Sequence, residues 1–259
     1  MSYNTIITEI GEDFVGMITL NRPDQLNTFS WDLAGELRQA LEEMEKDSSV
    51  RVVMVTGAGR AFCAGIDLTG YEGKTEAEYE KWITHMEDSL AYISQMSKPV
   101  IAKVNGAAAA IGAGLVAACD LAIASERAKI GLTAINVGLN CVGPVIPVSK
   151  SLGRKHALEM LLFGELLSPT RALEMGLYNR VVPSDELNEL AREWAASLAQ
   201  RSPVAVANAK TSYYASEDMS YMEQFKFMDR AFAQLCASPE AKEGVSAFLE
   251  KRDPSWKTK

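Results

Sequence analysis

Apolar residues in this chain follow two rhythms. Short, nearly continuous runs, FVGMITLNRP, RVVMVTGAG, KPVIAKVNG, DLAIAS and NRVVP, are mostly rich in β-branched residues and end at turn formers or a helix. They read as buried strands. Between them, apolar positions recur every three to four residues. In SWDLAGELRQALEEME, Leu33, Leu37, Ala40, Leu41 and Met44 fall on one helical face, with Ser30 placed as the N-cap. In SPTRALEMGLYNRVVP, Ser168 and Pro169 open a helix and Gly176 stops it. Continuous strands separated by helices call for parallel pairing through right-handed crossovers, hence an α/β core. From Asp185 onward the pattern is helical only, broken at Pro239. The change falls between residues 184 and 200, and we divide the chain into a core, 1–195, and a helical region, 196–259. No flexible linker separates them, so the helical region is expected to pack on the core or on a neighbouring subunit.

Composition narrows the function classes. With 26 Lys and Arg against 34 Asp and Glu, the net charge is −8. A broad nucleic-acid-binding face is therefore not expected. The four cysteines, Cys63, Cys119, Cys141 and Cys236, share no C-x-x-C spacing. That argues against a zinc site or disulfide framework and fits a reducing compartment. The start, MSYNTIITEIGEDF, lacks a basic stretch followed by an apolar one, and no run reaches eighteen apolar residues. A cytoplasmic protein without metal or membrane segment is expected.

One stretch is unusually bare of side chain: NGAAAAIGAGLVAACD, Asn105 to Asp120, directly after KPVIAKV. Gly112, Gly114 and Ala117 match G-x-G-x-x-A, but the acidic residue a dinucleotide site needs about twenty positions later is missing. Small residues also let a helix pack tightly on a sheet. Alternatively, backbone N–H groups at a helix start are aimed at a ligand oxygen, with a favourable dipole behind them. RAFCAGIDL, Arg60 to Leu68, offers a second small-residue turn after the strand RVVMVTGAG. Two such loops after adjacent parallel strands would meet where α/β proteins place ligands, and one N–H from each could grip a single oxyanion.

NRPDQLNTFS, AFCAGIDL, KPVIAKVNGAAAAIGAGLVAACDLAIAS, RALEMGLYNRVVP and FLEKRDPSW, taken in order, resemble the crotonase superfamily, also called the enoyl-CoA hydratase/isomerase family, from end to end. The resemblance implies a spiral of β-β-α turns followed by a helical trimerisation region, in homotrimers or homohexamers. It implies no permanently bound cofactor, coenzyme A entering as part of an acyl-CoA substrate. The thioester carbonyl would sit between the N–H groups of Ile66 and Ile111. Coenzyme A contacts carry over to Arg22, Leu26, Ala64, Ile66, Asp67 and Leu68, with Phe248 and Lys251 reaching the nucleotide of a neighbouring subunit. For Asp67 a turn-capping role stands beside the ligand role.

The chain departs from the hydratase pattern where that pattern has two glutamates. The first position falls on Gly114 and the second on Ala134, and neither residue transfers a proton. Losing such a group costs about a hundred- to ten-thousandfold in rate. Simple hydration should be slow, while chemistry that needs enolate stabilisation alone stays open: decarboxylation, isomerisation, hydrolysis, or silent binding of an acyl-CoA. Replacement candidates are Asn136, Asn140 and Cys141 in the loop after Ala134, and Tyr71, Trp82 and His85 after the oxyanion loop. The NVGL-x-C loop and the FL-x-KR-x-P-x-W ending are similar to those of the enoyl-CoA hydratase domain-containing proteins.

Overall fold

The computed structural model describes residues 3–257. Its frame is a six-stranded sheet built from β1 (Ile6–Ile10), β2 (Val15–Leu20), β3 (Val52–Gly57), β5 (Val100–Val104), β7 (Leu121–Ser125) and β9 (Arg180–Val182), hydrogen-bonded in that order. β1 runs antiparallel to β2, and every other pair is parallel. A second sheet holds only β4 (Ala61–Cys63), β6 (Ala107–Ala109) and β8 (Ile130–Gly131), all parallel. Three times the chain lays one strand in the large sheet and the next in the small one, which is the β-β-α spiral.

Strand burial on both faces explains the continuous apolar runs. Along β3, Val53 and Val55 face the main core, while Val52 and Met54 face the opposite side. The main core is closed by α1 (Trp31–Lys46) through Leu33, Leu37 and Leu41, by α2 (Glu76–Ile93) through Met86, Leu90 and Ile93, and by α3 (Ile111–Ala118). Ser30 caps α1 as the pattern predicts, accepting from Leu33 N–H at 3.2 Å. The back of the sheet is covered by α7 (Leu187–Ala199), whose Leu187, Ala191, Ala195 and Ala199 meet Val15, Val52, Met54, Ile101 and Ile123. The division drawn at 195/196 thus falls inside α7, which packs on the sheet to its last residue. α4 (Val145–Ser151), α5 (Arg154–Phe163) and α6 (Pro169–Met175) lead from β8 to β9. Ser168 caps α6, accepting from Arg171 N–H, and Gly176 ends it with φ +95°.

α8 (Pro203–Ser216), α9 (Tyr221–Ala237) and α10 (Pro239–Glu250) form the helical end of the chain. α8 is fixed to the core by Lys210 and Tyr214, whose Nζ and hydroxyl donate to Asp120 at 2.7 and 3.0 Å. α9 and α10 leave Tyr221, Met222, Phe225, Phe232, Val245, Phe248 and Leu249 exposed.

The small strands were not legible as strands. Part of the bare stretch is β6 itself, and packing accounts for its small residues. A Cβ on Gly106 would overlap the Arg60 carbonyl, and one on Gly112 the Cys63 carbonyl. The spiral brings β4 and β6 that close.

Candidate active site

The loop after β4 runs through Ala64, Gly65 and Ile66. Phe29 pairs with it in a parallel bridge, its N–H donating to Gly65 O at 2.9 Å, while Asp67 N–H donates to Phe29 O at 2.8 Å. Successive peptide groups of extended chain face opposite ways, so the Ile66 N–H faces away from Phe29. Gly65, with φ +126°, turns the chain here. An ideal Cβ on Gly65 would lie 3.6 Å from the Ala110 Cβ, so the two bare loops abut.

Ala110 holds φ +50° and ψ −115°, a conformation that costs a residue with a Cβ about 1–3 kcal/mol. It links the end of β6, where its N–H donates to Gly131 O at 2.9 Å, to the first turn of α3. The Ile111 N–H that follows has no acceptor within its own helix. Among the described residues, neither the Ile66 nor the Ile111 N–H meets a protein acceptor, and both residues line one cavity of about 820 Å³. The strain at Ala110 is thus spent where two free donors share a cavity.

The other walls come from Thr133, Ala134 and residues 137–141 after β8, and from one stripe of α2, Glu76, Glu80, Ile83 and Glu87. Tyr71, Tyr79 and Trp82 form an aromatic cluster beside that stripe, with ring centroids 5.2–6.5 Å apart.

The enoyl-CoA hydratase/isomerase family model matches residues 11–259. The chain belongs to this family. It is 34% identical to the mitochondrial enoyl-CoA hydratase of Pongo abelii over 246 residues, 94% of this chain and 83% of that protein. Among solved structures, an enoyl-CoA hydratase from Mycobacterium smegmatis superposes with a TM-score of 0.94 at 37% identity, covering 98% of this chain and 99% of that one. Human enoyl-CoA hydratase domain-containing protein 3 gives 0.91 at 30% identity, covering 98% of this chain and all of that one.

Of the positions carried over from the family pattern, Ala64, Ile66, Leu68, Ile111, Ala134, Asn140 and Cys141 line the cavity. Ala134 presents only a methyl group to it. Gly114 lies one layer behind, covered by Pro144 of the cavity wall and by Leu90: an ideal Cβ there would sit 2.7 Å from Pro144 Cβ and 3.0 Å from Leu90 Cδ2. Arg22 is not a free surface charge. It pairs with Asp67 at 2.8 Å and donates to Thr28 O, which clamps the loop just after Ile66. Asp67 also accepts from Thr69, and these bonds, Thr69 foremost, hold its carboxyl below the usual range. Leu26, with φ +52°, accepts from Ala64 N–H, and the buried Asn27 beside it donates to Ala58 O and Ala61 O. The NRPDQLN motif therefore braces the loop after β4. Phe248, exposed on α10, and Lys251, its left-handed C-cap, stand away from the cavity of their own chain.

Three candidates change status. His85 does not reach the cavity: its ring stacks on Trp31 at 3.8 Å, and Nε2 lies 2.8 Å from Trp31 O, joining α2 to α1. Asn136 donates to Gly164 O at 2.9 Å and serves its loop. Cys141 lines the cavity, but burial, with the nearby Glu87 charge adding to it, pushes its thiol above the ordinary range. It is a protonated thiol and a poor nucleophile.

Glu87 is the residue that sequence reasoning missed. Neither Gly114 nor Ala134 supplies a carboxyl, yet Glu87, with Glu76 and Glu80, lines this cavity from α2. The signal was available: on α2, residue 87 is four beyond Ile83 and seven beyond Glu80, on one face, whereas His85 is rotated by about 200° from it.

Proposed function

We propose that the chain processes an acyl-CoA thioester through an enolate held by the Ile66 and Ile111 N–H groups, by a route other than two-glutamate hydration. What supports this reading is that Ile66 and Ile111, whose N–H groups meet no protein acceptor among the described residues, line a single cavity, the second directly after the strained Ala110. Such donors, fixed before reaction, stabilise the developing oxyanion without reorganising, and removing one typically costs about a hundred- to a thousandfold. Gly114 and Ala134 leave the two hydratase carboxylate positions without a proton carrier.

The charge of the cavity favours a neutral acyl group. Its ionisable lining includes Glu76, Glu80 and Glu87, with no lysine or arginine among the described residues. A malonyl-type carboxylate would be repelled, so allylic isomerisation of an enoyl-CoA fits better than decarboxylation. The coenzyme A phosphates would lie outside the cavity, towards the Arg22–Asp67 clamp and, across a subunit boundary, Phe248 and Lys251. A homotrimer or pair of trimers, with α9 and α10 at the interface, would cover the exposed Phe225, Phe232 and Phe248. The four free cysteines suit a reducing compartment such as the cytoplasm.

The test is a side-by-side assay of trans-3-hexenoyl-CoA isomerisation, crotonyl-CoA hydration and methylmalonyl-CoA decarboxylation by the purified protein. Isomerisation dominating the three is the expected result. Crotonyl-CoA hydration as the dominant activity would overturn the reading. Tight binding without any turnover would reduce the protein to a silent acyl-CoA binder.

A further inference from the structure

We infer that Glu87 is the proton-transferring residue of this cavity, supplied from α2 in place of the carboxyls that positions 114 and 134 lack. The inference rests on the enolate reading and adds the group that makes and quenches the enolate.

Four observations on the molecule lead to it. Glu87 lies on the α2 stripe that lines the same cavity as Ile66 and Ile111. Its carboxyl packs directly on the turn after Cys141: a Cβ at Gly143 would overlap the Glu87 carboxyl and push it aside. Among the described residues the carboxyl meets no cation and no hydrogen-bond donor, unlike Glu36, Glu43, Glu45 and Glu78, each of which is tied to a donor. A half-buried carboxyl is costly to leave unpartnered, and a site that keeps one has a use for it. Fourth, Glu87 also borders a second cavity of about 490 Å³ lined by Asp120, Lys150 and Tyr214.

Burial supports the assignment by raising the Glu87 carboxyl above its usual range, towards the working pH of a general base. The charged groups that share a cavity with Glu87 are Glu76 and Glu80 on its own helix and Asp120, Lys150, Glu217 and Asp218 around the second cavity; Cys141, after β8, lines the first. Cys141 is protonated.

The step balances without a co-reactant. Glu87 carboxylate takes a proton from C2 of a 3-enoyl thioester. The C2–H electrons form C1=C2, and the carbonyl π pair moves to the oxygen held by the two N–H groups. The dienolate then collapses: C1=O re-forms, the C1=C2 pair becomes C2=C3, and the former C3=C4 pair takes the Glu87 proton at C4. The product is the 2-enoyl thioester, with the carboxylate regenerated.

The experiment incubates trans-3-hexenoyl-CoA in D2O with wild type, Glu87→Gln, Glu87→Asp, Gly143→Ala and His85→Ala. Isomer formation is read by absorbance, deuterium incorporation by mass spectrometry, and hexanoyl-CoA affinity by calorimetry. Glu87→Gln is expected to lose about a hundred- to ten-thousandfold in turnover and exchange at unchanged affinity. Glu87→Asp and Gly143→Ala, which retract or displace the carboxyl, should fall between it and wild type, with His85→Ala close to wild type. Exchange retained in Glu87→Gln, or abolished equally in His85→Ala, would overturn the assignment while leaving the oxyanion reading intact. Wild type that binds hexanoyl-CoA but forms no 2-enoyl isomer from trans-3-hexenoyl-CoA would also overturn it. Wild type that neither binds nor exchanges would overturn both readings. Should Glu87→Gln fail to fold, wild-type rates in Glu87→Asp and Gly143→Ala would refute it alone.

Discussion

Gly114 tests whether the missing first glutamate is a substitution in an otherwise open site or a consequence of packing. An ideal Cβ at this position lies 2.7 and 2.9 Å from Pro144 Cβ and Cα and 3.0 Å from Leu90 Cδ2. Gly114→Ala forces these neighbours apart, and overpacking of this kind costs about 1–3 kcal/mol. Replacing a helical glycine by alanine returns about 1 kcal/mol. The net loss is about 1 kcal/mol, or a melting temperature lower by about 2–4 °C in a chain of this size. Gly114→Glu keeps the steric term and adds a carboxyl to a wall made of Pro144 and Leu90, where a charge without donors costs several kcal/mol more. A loss of more than about 3 kcal/mol is a large share of the 5–15 kcal/mol that holds a domain folded. Paired calorimetric scans and a crotonyl-CoA hydration assay decide the matter. The expected order is wild type, then Gly114→Ala, then Gly114→Glu, with no hydration gained. A Gly114→Glu protein that melts with wild type would show that Pro144 does not fill the glutamate's place, and the reasoning would fail.

Other expectations follow from single contacts. Asp120 accepts from Val100 N–H, Lys210 and Tyr214, and the Lys210 side chain is only 7% exposed, so Asp120→Asn should cost about 3–5 kcal/mol in chemical denaturation by removing the charge partner of that lysine, which keeps only its bond to Lys98 O. Amide-to-ester exchange at Ile66, which deletes one N–H, should lower turnover about a hundred- to a thousandfold with the fold kept, since that N–H holds no protein acceptor. Burial raises the folded Glu87 carboxyl above its unfolded value, so the folded state binds the extra proton and stability falls as pH rises through that window. Glu87→Gln should therefore melt higher than wild type at pH 7, with the gap closing below the unfolded pKa; a lower melting point at pH 7 would contradict it.

The large sheet was legible because each central strand is buried on both faces and carries the apolar run that this demands. The helices were legible through their caps, Ser30 and Ser168, and their stop, Gly176. The small sheet was not, because β4, β6 and β8 span only three, three and two residues, too few for any periodicity. Their alanines and glycines serve close packing, which in sequence looks the same as room left for a ligand. In the segment from Asn105 to Asp120 packing accounts for some residues, while others line the cavity. Gly106 and Gly112 are small for the approach of β4, while Ala110 and Ile111 turn the backbone toward the cavity.

The site was legible to the extent that it is made of backbone, since loop position after parallel strands follows from the order of strands. Side chains that arrive from a covering helix are harder to place, because a rotation of 100° per residue decides which one enters. On α2 the histidine drew attention by its chemistry, yet its place on the α1 side of the helix was set by the apolar face at Met86, Leu90 and Ile93. Once that face is buried in the main core, positions 85 and 87 fall on its opposite flanks, and the first meets Trp31 of α1 while the second meets Gly143. The buried face of α2 thus leaves both His85 and Glu87 as polar residues on its borders, with no motif to mark either. By the same reasoning His85→Ala should disturb the α1–α2 packing and leave turnover near wild type, a separation that a melting curve and a rate measured on one preparation would read together.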